Sequence, residues 1–177
     1  MTEPVKSRTD VRDRTFSYVA PGDERARFLF HDLEREYDSR YADLLAEPAT
    51  TELSRYPDSH FLPPDGAFLL VEELGVVVAG GAFMRYDEQT AEFKRIWTHP
   101  EHRRRGLSRV VLAELEAEAT RRGYRRVFLT TGPRQPEAQA LYAASGYTVL
   151  PLLPIADGFH VHPFEKDLPL ATERRAS

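Results

Sequence analysis

Between Lys94 and Arg109 the chain carries Lys94, Arg95, Arg103, Arg104, Arg105 and Arg109 against a single acid, Glu101, although its net charge is -4. Three of those arginines run directly into Gly106, and an amphipathic stretch follows. The first turn of a helix leaves backbone N–H groups without partners and carries about half a positive charge. An arginine-flanked glycine at that point therefore makes a seat for a compact polyanion such as a diphosphate. Gly106 lets the anion approach and accepts a positive φ, and Ser108 adds a hydroxyl. Taken alone, R-R-R-G reads as a solvated turn. Its place between a strand and a helix is what favours anion binding.

Other chemistries lose support. There is no G-x-x-x-x-G-K-[ST] and no G-x-G-x-x-G, because Gly75, Gly80 and Gly81 have the wrong spacing. Neither a G-x-S-x-G elbow nor an H-E-x-x-H helix occurs. The chain has no cysteine, which removes thiolate metal sites, disulfides and a cysteine nucleophile. His160 and His162 alternate and point to one face of a strand, but no third ligand accompanies them, so no metal is expected. The acidic balance favours neither nucleic acid nor an anionic membrane. No segment reaches the roughly 20 apolar residues of a membrane span, and no signal-like run opens the chain. The expected location is cytoplasmic.

The elements that must position these residues can be read from periodicity. At 177 residues, with 41% hydrophobic and 29% charged residues, the chain suits one folded domain. Residues 1–14 are polar and aperiodic and predict a mobile tail, 15–168 a single domain and 169–177 a C-terminal tail. "TFSYVAP" predicts a strand. Leu29, Leu33, Tyr37, Tyr41 and Leu45 recur at helical spacing behind a capping candidate, Asp23. Four prolines (Pro48, Pro57, Pro63, Pro64) mark a loop from Pro48 to Gly66, expected beside a substrate. A three-strand meander follows in "AFLLVEE", "VVVAGGAFMRY" and "AEFKRIWT". Leu107 to Arg122 predicts a helix stopped by Gly123, then come strand "YRRVFLTT", helix "QPEAQALYAAS" and closing strands "YTVLPLL" and "FHVHPFEKDL". The order is βα-βββ-αβ-αββ.

With these residues in hand, the chain resembles the GNAT superfamily of acetyl-CoA-dependent N-acyltransferases over about residues 15–168. Arg103-Arg104-Arg105-Gly106-Leu107-Ser108 is similar to that family's Q/R-x-x-G-x-G/A pyrophosphate loop, with Ser108 in place of the usual glycine or alanine. "QPEAQALYAASGY" resembles its N-x-x-A-x-x-L-Y-x-x-x-G-F/Y segment, with Gln135 in the asparagine's place and Tyr142 at the tyrosine. The closing "FHVHPFEKDL" is similar to its last strand.

The resemblance implies an α/β, GNAT-like fold: a mixed, mostly antiparallel central sheet flanked by helices and splayed where the donor enters. It implies acetyl-CoA as acyl donor, held by Arg103 to Ser108 and Gln135, with backbone groups of Ile96, Trp97 and Thr98 pairing with the pantetheine arm. It implies a primary amine of a small molecule or peptide as acceptor. Tyr142 is the expected general acid and a cofactor contact, with a packing tyrosine as the alternative. Glu92 is the expected base, with a cross-strand ion pair as the alternative. The Trp97 ring is expected in the core. Tyr37, Tyr41 and His160 are candidate walls of the acceptor pocket, and helix packing is an equal reading for the two tyrosines. A homodimer is compatible with the resemblance. A non-catalytic acyl-CoA-binding regulatory module is the rival function.

Overall fold

The computed structural model describes residues 7–9, 13–44, 49–156 and 158–170. β1 (Ser7–Thr9), β2 (Arg14–Tyr18), β3 (Ala67–Glu73), β4 (Val76–Arg85) and β5 (Thr90–Thr98) make one half of the sheet. β6 (Arg126–Thr131), β7 (Thr148–Val149), β8 (Leu153–Ala156) and β9 (Phe159–Asp167) make the other. The order is β1-β2-β3-β4-β5-β6-β9-β7, with β8 also pairing with β9. Among the described strands only β5 and β6 run parallel; the other neighbours are antiparallel. Leu74 and Gly75 join β3 to β4 with φ of 50° and 80°. A two-residue hairpin of this kind matches the right-handed twist of its strands.

The strands are apolar on both faces because helices cover both. α3 (Leu107–Arg121) and α4 (Pro136–Ala144) pack Val111, Leu115 and Tyr142 against Leu69, Phe83, Phe93 and Phe164. α1 (Arg27–Tyr41) and α2 (Ala49–Ser54) place Leu29, Leu33 and Leu53 against Phe68, Leu70, Met84 and Trp97. A fully buried leucine such as Leu29 or Leu115 contributes about 1.5–3 kcal/mol relative to exposure. Gly80 and Gly81 let the layers close. A Cβ on Gly80 would lie 2.7 Å from Leu29 Cδ1 and 2.8 Å from the Leu69 carbonyl oxygen. One on Gly81 would lie 2.8 Å from Ile96 Cδ1 and 2.9 Å from Val111 Cγ1.

Some elements differ from the expectations. Ser7–Thr9, inside the expected N-terminal tail, pairs with Thr15–Ser17, because β2 would otherwise present an open edge. α1 is led by a short 3-10 turn, Glu24–Ala26, where the Asp23 carboxylate accepts from the Arg25 N–H at 2.9 Å. It ends at Tyr41; Leu45 lies outside the described residues. The proline-rich stretch contains α2 and a second 3-10 turn, Asp58–Phe61. "YTVLPLL" is divided between β7 and β8, since Pro151 has no N–H to offer a ladder.

Candidate active site

β5 and β6 pair only through Thr90↔Arg126, Ala91↔Val127 and Glu92↔Phe128, after which β5 runs on to Thr98 and β6 to Thr131 without meeting. The cause lies on the other side of β5. Its register against β4 steps from Gly80↔Trp97 to Ala82↔Lys94, so Arg95 and Ile96 together oppose Gly81, and Arg95 has a φ of 59°. A bulge bends and twists its strand, here away from β6. It also turns Lys94 and Arg95 to the same α1–α2 face. The Lys94 ammonium lies 4.7 Å from the Tyr56 ring centre, and Arg95 stands 4.3 Å from Phe61 while donating to the Leu53 carbonyl at 2.5 Å.

The gap therefore has a strand edge as one wall. The His99 N–H donates to the Val78 carbonyl at 2.9 Å, in β4. By alternation the Trp97 backbone groups also face β4, while those of Ile96 and Thr98 face the gap. Of the three expected backbone contacts, two are thus turned to the opening. The Trp97 ring is buried on the α1 side, as expected for a core aromatic, and its Nε1–H donates to Asp32 at 2.8 Å.

At the open end of the gap stands the start of α3. Arg104 and Gly106 have φ of 62° and 73°, no side chain caps the helix, and beyond the flanking residues no atom of the described residues lies within 4 Å of where a Gly106 Cβ would be. Alternating handedness of this kind turns successive N–H groups into one concavity that suits an anion. Leu107 is buried and anchors the turn. The Ser108 hydroxyl lies 2.9 Å from Thr98 Oγ1, tying the helix start to the end of β5. The arginines diverge. Arg103 leans toward Glu36 and Asp32 at 3.8 and 4.0 Å. Arg105 donates to Glu73 at 2.7 Å and to His102 Nδ1 at 2.8 Å. Arg104 is exposed.

Tyr142 approaches from the α4 side, with ring centres 5.8 Å from Tyr147 and 5.5 Å from Phe164. Its hydroxyl bonds to none of the described residues. Burial, with a smaller contribution from the Tyr37 phenol, pushes it well above the usual tyrosine value. Glu92 sits where the strands part, buried on the α1 face, and Lys94 pairs with it at 3.1 Å. The ion pair weighed for Glu92 therefore exists, along its own strand rather than across to a neighbour.

The remaining candidates scatter. Gln135 Oε1 accepts from the Gly132 N–H at 3.1 Å and from the Thr131 and Tyr41 hydroxyls at 3.3 Å each, which makes it the centre of the β6–α4 turn. Tyr41 is buried there, its ring 5.8 Å from Phe159, and burial raises its phenol. Tyr37 packs on the α1-side core. His160 is exposed and by alternation shares its face with Phe164, opposite the tyrosines of α1, so it does not join them. Asp32, Glu36 and Arg40, the charged residues of α1 that reach both loops, stand four apart on one helix face, and Glu36 pairs locally with Arg40. Only their loop partners, Arg103 and Glu137, lie far along the chain.

An open strand edge, an uncapped helix start at its far end, a proton-bearing phenol on one face and a carboxylate on the other can hold an extended thioester and exchange protons across it. Residues 26–147 match the model of the Acetyltransferase (GNAT) family. No curated protein matches the chain. A candidate acyl-CoA N-acyltransferase from Klebsiella pneumoniae is 28% identical, with a TM-score of 0.69 over 88% of this chain and 98% of that one. A GNAT family acetyltransferase from Elizabethkingia anophelis with acetyl-CoA bound is 15% identical, with a TM-score of 0.62 over 90% and 100%. A candidate acetyltransferase from Salmonella typhimurium, solved with its cofactor acetyl-CoA, is 21% identical, with a TM-score of 0.63 over 88% and 94%.

Proposed function

Because the chain belongs to the acetyltransferase (GNAT) family, we propose that it moves the acetyl group of acetyl-CoA directly to a primary amine of a small molecule or peptide. The gap between β5 and β6, ending at the uncapped start of α3, carries this reading. The open-edge groups of Ile96 and Thr98 take the pantetheine arm as an added strand, and the first-turn amides of α3 with Arg104 take the diphosphate. An edge N–H faces the thioester carbonyl oxygen, where negative charge grows during attack.

The amine nitrogen bonds to the carbonyl carbon as the carbon–sulfur bond breaks. Glu92 takes the proton the amine gives up, directly or through water, and Tyr142 gives its proton to the departing thiolate. Amide and free thiol result, and the two residues reset by returning the proton. Lys94, 3.1 Å from Glu92, holds the carboxylate in place at the point where the strands part.

The test is a free-thiol assay with acetyl-CoA against a panel of primary amines, paired with calorimetry of donor binding. Amine-dependent thiol release is expected. Donor binding without release from any amine would favour the non-catalytic acyl-CoA-binding module. Gly106→Glu should weaken donor binding about tenfold or more, because like charges brought together cost on the order of several kcal/mol. Gly106→Asn tolerates the positive φ and should retain most of the affinity. Equal binding by wild type and Gly106→Glu would place the diphosphate elsewhere.

A further inference from the structure

α1 crosses the mouth of the gap and is tied to both of its sides by charge. On one side, Arg103 of the loop before α3 lies 3.8 Å from Glu36 Oε2. Glu36 Oε1 pairs with Arg40 at 3.0 Å, and Arg40 pairs with Glu137 in the first turn of α4. Arg134, just before α4, reinforces the far end: it donates to the Arg40 carbonyl at 2.7 Å and grips Asp43 at 2.7 and 3.0 Å. The chain Arg103–Glu36–Arg40–Glu137 thus links the loops that follow β5 and β6, strands that have themselves parted. Its weakest link is the first, long and with an Arg103 side chain 50% exposed.

Resting on the donor site proposed above, we infer that Glu36 is a positioning residue that competes with the donor's diphosphate for Arg103. Asp32 is a poorer competitor. Its Oδ2 already accepts from Trp97 Nε1 at 2.8 Å and its Oδ1 from Arg35 at 3.1 Å. Among the described residues, Glu36 spends one oxygen on Arg40 and the other on Arg103. A diphosphate seated at Gly106 carries more charge than one carboxylate and offers bidentate geometry to the guanidinium. Arg103 then leaves Glu36, the link between α1 and the loop before α3 is loosened while the Asp32–Trp97 hydrogen bond still holds α1 to β5, and the α1 face of the gap opens at that corner to admit an acceptor. Donor arrival and acceptor entry are coupled through one side chain.

The experiment is calorimetry on the full chain at low ionic strength, with coenzyme A and with pantetheine, which has no diphosphate. Wild type, E36Q, R103Q and the double variant are compared. E36Q should bind coenzyme A about two- to fivefold more tightly, the scale of an exposed ion pair. R103Q should bind it less tightly, the double variant should match R103Q, and pantetheine should bind wild type and E36Q alike. A merely structural role for Glu36 would not make its effect depend on both Arg103 and the diphosphate. Unchanged or weaker binding of coenzyme A by E36Q, a gain that survives in R103Q, or an equal gain for pantetheine would each overturn the inference while leaving the donor site standing. Failure of wild type to bind coenzyme A at all would instead remove the donor site. If E36Q does not fold, E36D serves: it keeps the charge, draws back from Arg103 and should show a smaller gain of the same sign.

Discussion

Tyr142 is the residue on which catalysis and packing are hardest to separate, since its ring is part of the core and its hydroxyl bonds to none of the described residues. Phenylalanine keeps the ring and removes only the proton. Tyr142→Phe should therefore leave donor affinity and thermal stability nearly unchanged while lowering turnover about a hundredfold or more, the usual weight of a general acid. Burial holds the phenol above the ordinary value of 10.0, so it stays protonated across the whole working range. The wild-type rate should accordingly show no alkaline decline from this group below about pH 10. A variant with full turnover would return Tyr142 to packing. At this scale the sequence was most informative where the residues are contiguous: Arg103 to Ser108 and Gln135 to Tyr142 each fall on one turn and the helix it opens. It was least informative about partners. That Arg105 belongs to Glu73 and Trp97 to Asp32 depends on chain segments tens of residues away.

Among the elements, β5 decides the shape of the site. Its periodicity shows a strand, and its neighbours on both sides were legible as strands too. The extra residue at Arg95–Ile96 was not, because a bulge is a mismatch between two strands and leaves no mark on either alone. The same blindness affected the proline-rich stretch, where α2 is fixed by Leu53 packing and by the Arg95 bond to its carbonyl rather than by helical periodicity. β4 must be thin to let this arrangement form. Gly80→Ala would push a methyl against the Leu69 carbonyl and Leu29, and overpacking of that kind costs about 1–3 kcal/mol. Urea denaturation should show that loss with an unchanged slope. No loss would mean the layers have slack that the structure denies.

For the molecule as a whole, the arginine-rich loop is tied to the sheet's other end by Glu73, which pairs with both Arg14 and Arg105 at 2.7 Å. The Arg14 hydrogen bond is the main force holding this carboxyl below its ordinary 4.5; burial opposes it and Arg105 assists. A carboxylate more acidic folded than unfolded stabilises the fold above its unfolded value and loses that stabilisation as pH falls through its folded one. Wild type should thus exceed Glu73→Gln in melting temperature by a constant margin above about pH 5.5, and the margin should shrink as the solution is acidified below about pH 4.5. A margin independent of pH would mean the pair is screened to nothing. The short β5–β6 junction has a further consequence. The slab behaves as two leaves bound along a spine of three facing residue pairs, and its breathing is concentrated at the free margins beyond that spine. Deuterium should enter at the Ile96 and Thr98 amides long before it reaches Trp97 or Val127, and a thioester arm lying between the leaves would act as the missing stitch.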